Sequence, residues 1–86
     1  MHDTFLNQNL YDEIVSLCNE NSITKINELI ITVHTHSHIC NQSIREYFTD
    51  RNNSLIGEWT NIIIQKEEIE PLTAVIEKID GDKFNE

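Results

Sequence analysis

Along the first part of the chain Leu6, Leu10, Ile14, Leu17 and Cys18 recur at intervals of three and four residues, with Asp12, Glu13 and Glu20 off that stripe. Apolar positions spaced in this way fall on one side of a 3.6-residue helix, so the pattern predicts an amphipathic helix. The element covers residues 1–22, its regular part running from about residue 4 to about residue 20, and Asp3 or Thr4 is placed to cap its start. After the polar break Asn19-Glu20-Asn21-Ser22 the period changes to two. Leu29, Ile31 and Val33 take one face of a strand over residues 24–36, while Ile30, Thr32 and His34 take the other. Ile44, Tyr47 and Phe48 return to helical spacing and predict a short helix over 41–51, with Asn41 as its cap. A turn around Gly57 leads into a strand over 58–67 through Ile62, Ile63 and Ile64. A third strand over 71–80 precedes a polar tail, 81–86.

The order helix, strand, helix, strand, strand predicts one α+β domain over residues 1–86, a two-layer sandwich with two helices on one face of a three-stranded mixed sheet. The strand–helix–strand unit should be a right-handed crossover with parallel strands, and the last two strands an antiparallel pair. Ile30, Trp59 and Ile63 take the parity opposite the expected core residues Ile31, Ile62 and Ile64. That places them on the uncovered face of the sheet, where a tryptophan and two isoleucines make a candidate partner surface, for instance in a homodimer.

Composition narrows the function classes. Fifteen acidic residues against six basic ones give a formal charge of −9, which argues against phosphate-backbone binding and against an anionic membrane surface. The field favours a cation or a basic protein patch. The two cysteines, Cys18 and Cys40, belong to no CxxC pair, so neither a disulfide nor a structural zinc of that kind is expected. With no run resembling a signal peptide or a membrane span, the expectation is a cytoplasmic protein with free thiols.

One stretch stands apart. In Val33-His34-Thr35-His36-Ser37-His38-Ile39-Cys40, the residues His34, His36, His38 and Cys40 occupy every second position, and an extended chain would turn all four to one side. Such a set is a candidate zinc or copper site, although a polar strand end needs no ligand role, and Cys40 reads more simply as a small buried residue at a helix start. No nucleophile elbow, phosphate-binding loop or His-Glu-x-x-His is present, so the sequence does not read as an enzyme.

The opening Met1-His2-Asp3, running directly into the amphipathic helix, resembles the nickel metallochaperones of hydrogenase maturation, the HypA/HybF family, which begin Met-His-Glu. The segments Lys25–Val33, Asn41–Phe48 and Gly57–Ile64 look like that family's first strand, second helix and second strand, so the resemblance covers roughly residues 1–66. It implies a nickel(II) site carried by the Met1 amine, the His2 backbone and imidazole nitrogens, and the Asp3 amide. It implies as partners a nickel-enzyme precursor such as that of [NiFe]-hydrogenase, or a GTPase-type maturation factor. Two departures stand out. The family's zinc domain is missing between the second and third strands, and His34 stands at about the position of a family glycine. A different class of reading remains beside it: a metal-independent interaction module of the same fold, forming homo- or hetero-oligomers.

Overall fold

In the computed structural model the backbone is described for residues 4–83 and the side chains for residues 6–83. Helix α1 spans Thr4–Glu20, strand β1 Ile23–His34, helix α2 Asn41–Asp50, strand β2 Asn61–Glu67 and strand β3 Ala74–Lys83. The fold is the expected α+β arrangement, two helices and a three-stranded mixed sheet.

The sequence stripe of α1 is the buried one: Leu10, Ile14 and Cys18 are almost wholly covered, and Leu6, Val15 and Tyr11 flank them. They meet Leu29, Ile31 and Val33 of β1, Ile62 of β2, and Ile44 and Phe48 of α2, which are also buried. Ile26 and Ile39, fully buried, and Ile56 extend this core at its ends. Strand β1 pairs parallel with β2, Ile30 opposite Ile63 and His34 opposite Glu67.

Strand β3 departs from the expected pairing with β2. It lies antiparallel to β1 on the other side, giving the order β2-β1-β3. The connection between β2 and β3 therefore passes over the end of β1, turning at Leu72, whose φ is 61°. Among the described residues β1 carries most of the buried apolar strand positions, Ile23, Ile26, Leu29, Ile31 and Val33, and it takes the centre. Strand β3 also ends three residues further than expected, so residues 81–83 of the supposed tail are ladder, with Lys83 opposite Ile23.

Two element boundaries shift for identifiable reasons. Strand β1 stops at His34 because the Ser37 N–H donates to the His34 carbonyl at 2.9 Å and folds the chain into a turn. Strand β2 starts at Asn61 because residues 57–60 form another turn, with the Thr60 N–H donating to the Gly57 carbonyl at 3.0 Å. That turn is fastened from three sides. The buried Thr60 hydroxyl donates to the Ile26 carbonyl (2.7 Å) and accepts the Gly57 N–H (3.0 Å). The Arg45 guanidinium donates to the carbonyls of Gly57 (2.7 Å) and Thr60 (2.5 Å), and its Nε to Asn41 Oδ1 (2.6 Å). A cation used this way satisfies backbone acceptors that would otherwise lose water without replacement.

Candidate metal-binding end of the sheet

Helix α1 joins β1 through only Asn21 and Ser22, so the two elements run back to back. Seventeen helical residues rise about 25 Å, which matches about eight residues of strand. The first turn of α1 thus lies level with the region of Ile30–Ile31, not far from where β1 ends. Packing between the helices agrees. Asn7, Leu10, Tyr11 and Ile14 share a small cleft with Ile44, Tyr47 and Phe48, and Tyr47 donates to Gln8 Oε1 at 3.2 Å. The start of α1 therefore lies on the side of the domain toward which β1 and β2 run, while the start of α2 lies beside the amino end of β2, where Asn41 reaches Ile62. Met1, His2 and Asp3 lie outside the described residues.

At this end the histidines do not line up as an extended chain would place them. The turn after His34 brings the His34 and His36 rings to a centroid separation of 5.4 Å, inclined at 46°. The His36 N–H donates to His34 Nδ1 at 3.1 Å. His34 is half-buried beside Glu67, its neighbour in the register, while His36 and His38 are exposed. Thr35 Oγ1 donates to a Glu68 carboxylate oxygen (2.9 Å) and Lys66 Nζ to the Ser37 carbonyl (2.6 Å), which pins the turn to the end of β2. Among the described residues, no group of three or more His, Cys, Asp or Glu side chains is arranged to hold a metal ion.

Cys40, expected to be buried, is exposed, and it rather than Asn41 is the N-cap of α2. Asn41 lies one residue inside the helix, where its Nδ2 donates to the Ile62 carbonyl at the edge of β2 (2.9 Å). The Cys40 N–H donates to Ser43 Oγ (3.0 Å). The Ser43 backbone N–H lowers the Cys40 thiol pKa below its ordinary value, assisted by the Ser43 hydroxyl, the Gln42 N–H and the Lys66 charge, against a smaller opposing effect of burial. Burial alone raises that of Cys18. Since the thiolate is the nucleophile, iodoacetamide at neutral pH is expected to alkylate Cys40 in the folded protein and Cys18 only after denaturation. Mass spectrometry of the two peptides reads this directly, and equal labelling of both in the native state would contradict the assignment.

The candidate partner surface is partly reassembled. Ile30 and Ile63 are cross-strand neighbours on the face away from the helices, with Ile63 37% exposed. Val75, 42% exposed and opposite Thr32 on β3, extends that face. The sequence pattern missed it because it did not place β3 beside β1. Trp59 sits in the turn before β2 instead of on the strand, 45% exposed, with Lys25 Nζ 5.0 Å from the ring centroid. It belongs to the Gly57 turn and not to the Ile30–Ile63 pair.

No family model, curated protein or solved structure matches this chain. Among the described residues no helix is long and apolar enough to cross a membrane.

Proposed function

We propose that this chain is a cytoplasmic, non-enzymatic nickel(II)-binding protein of metallochaperone type, which holds the ion at Met1-His2-Asp3 and assists metallocentre assembly in a nickel enzyme. One observation supports the reading above the others. The Met-His-Asp sequence leads directly into a helix whose first described turn lies at the same end of the sandwich as the His34–His38 turn. Three residues of chain reach at most about 10 Å, which covers most of the distance from that first turn of the helix to the His34–His38 turn.

The chemistry follows from the donors. An α-amine on Met1 and the His2 amide nitrogen and Nδ1 form two adjacent chelate rings in one plane, and the fourth position, opposite the His2 amide nitrogen, takes a further nitrogen donor. An all-nitrogen planar set suits nickel(II) or copper(II) more than tetrahedral zinc. Binding displaces amide protons, so affinity rises with pH. The receiving partner is a nickel-enzyme precursor such as that of [NiFe]-hydrogenase, or a GTPase-type maturation protein carrying a basic patch that complements the −9 chain.

The reading needs a free Met1 amine, and the test acts on that point. Nickel titrated into protein beginning at Met1 is expected to give the absorption band of square-planar nickel, which acetylation of the Met1 amine or His2→Ala abolishes. A band indifferent to both changes would refute the terminal chelate.

A second reading rests on the uncovered sheet face. Ile30, Ile63 and Val75 form a short apolar strip that a partner or a second copy would cover, with no metal involved. That module would sediment as an oligomer with or without chelator. A monomer at every concentration, with no change on Ile63→Lys, counts against it.

A further inference from the structure

We infer that His34 and His36 form a second metal site, a paired-imidazole clamp for a borderline divalent ion such as zinc(II), separate from the N-terminal chelate. The spacing of the rings carries the inference. An ion bound about 2.0–2.1 Å from an imidazole nitrogen lies roughly 3.2 Å from the ring centre, so two imidazoles on one tetrahedral ion have centres about 5.2 Å apart. The observed separation is 5.4 Å. The turn that breaks β1 has therefore brought two imidazoles to a ring spacing that one shared ion would accept, and Ser37, Thr35 and Lys66 hold that turn in place.

The remaining positions follow from the neighbours. Glu67 stands opposite His34 in the parallel register, on the same side of the sheet end, and is exposed, so its carboxylate is free to swing toward the pair. Glu68 is held by Thr35. Two imidazoles and one carboxylate, with water completing the shell, suit zinc, cobalt or nickel and offer little to magnesium or calcium. A site with two imidazoles paired and a third donor recruited is open and exchangeable, the kind from which an ion can be passed on.

The existing hydrogen bond is lost when the ion enters. Because the His36 N–H donates to His34 Nδ1, that nitrogen holds the lone pair and Nε2 carries the proton. An ion at Nδ1 takes the lone pair that the amide now uses, and an ion at Nε2 moves the ring proton to Nδ1, which then no longer accepts from the amide; either route gives up the hydrogen bond. Metal binding and this turn hydrogen bond are alternatives. Loading the site frees the His36 amide.

The test uses protein acetylated at the Met1 amine, which blocks the terminal chelate, titrated with zinc chloride and followed by calorimetry and by amide NMR. Saturable one-to-one binding is expected, weakened at least about tenfold by His34→Ala and by His36→Ala, with His38→Ala close to the parent. In the parent protein the His36 amide resonance should shift and its hydrogen exchange accelerate on saturation. Unchanged circular dichroism confirms that the variants fold. Absence of saturable binding, equal losses from all three replacements, or binding that none of them alters would overturn the clamp. Because the terminus is blocked throughout, failure here leaves the nickel chelate untouched, and loss of the planar nickel band leaves the clamp untouched.

Discussion

Phe48→Ala is expected to cost about 3–5 kcal/mol, the range for removing a buried phenylalanine. Phe48 is 2% exposed and stands where the two helices meet the sheet. Its ring lies 4.7 Å from that of Tyr11, inclined at 59°, and Tyr11 in turn touches Tyr47 at 5.4 Å and accepts a hydrogen bond from Asn53 Nδ2 (3.0 Å). Arg51 covers the outside of this cluster, its guanidinium carbon 3.4 Å from the Tyr47 centroid. Truncation leaves a cavity at a junction of three elements that cannot all move inward together. For a domain of this size the loss corresponds to a fall in melting temperature of roughly 12–40 °C. Small domains hold about 0.05–0.15 kcal/mol per residue, so much of the total stability goes with one ring. Thermal denaturation followed by circular dichroism measures it. Phe48→Leu, which fills most of the space, should lose clearly less, and a variant within about 1 kcal/mol of the parent would mean that the helices do not lean on this ring.

Gly81→Ala is expected to be nearly as damaging, by the opposite route. A methyl group at residue 81 would run into the backbone carbonyl of Lys25 and stand 3.0 Å from both Ile23 Cγ2 and Ile26 Cα. Strand β1 bulges here against β3, at the shifts between Ile23 and Lys25 and between Ile26 and Glu28, and only a residue without Cβ lets the two backbones close up. Overpacking typically costs about 1–3 kcal/mol, and an obstacle made of backbone puts this case at the upper end. Native-state hydrogen exchange should show the damage concentrated in the ladder between residues 23–26 and 81–83. Gly57→Ala provides the contrast. There the added methyl would strike the ring of Trp59, a half-exposed side chain with room to swing, and the cost should stay below about 1 kcal/mol. If both glycines tolerated alanine equally, the close approach at Gly81 would not be a constraint.

The elements were legible in the sequence because burial drives them. The three-and-four spacing of Leu10, Ile14 and Cys18 and the alternation of Leu29, Ile31 and Val33 mark surfaces that must be covered, and both are covered here. The strand order was not legible, since local pattern is silent on which edge of β1 a later strand will choose. Placing β3 beside β2 hid Val75 from the open face and Lys83 from the ladder. Trp59 was misplaced because a turn held by Arg45 and Thr60 rather than by apolar contacts leaves no periodic trace. At the candidate site the histidines were visible as residue types, but their relation was not. Alternation would have put His34, His36 and His38 in a row, whereas a single hydrogen bond from Ser37 to His34 folds the first two into a pair.

The central position of β1 bears on how the protein is made. The strand synthesised first among the three needs the strand synthesised last as its second neighbour. At a translation rate of about 5–20 residues per second, the interval between completion of β1 and completion of β3 is about 2–10 s. Throughout that wait the nascent chain can bury one edge of Leu29-Ile30-Ile31-Thr32-Val33 against β2 at best. The other edge is bare, uncharged and strongly β-forming, the type of segment that pairs with another copy of itself. Chaperone binding during synthesis is therefore expected to concentrate on residues 29–33 and to end when residues 74–83 leave the ribosome.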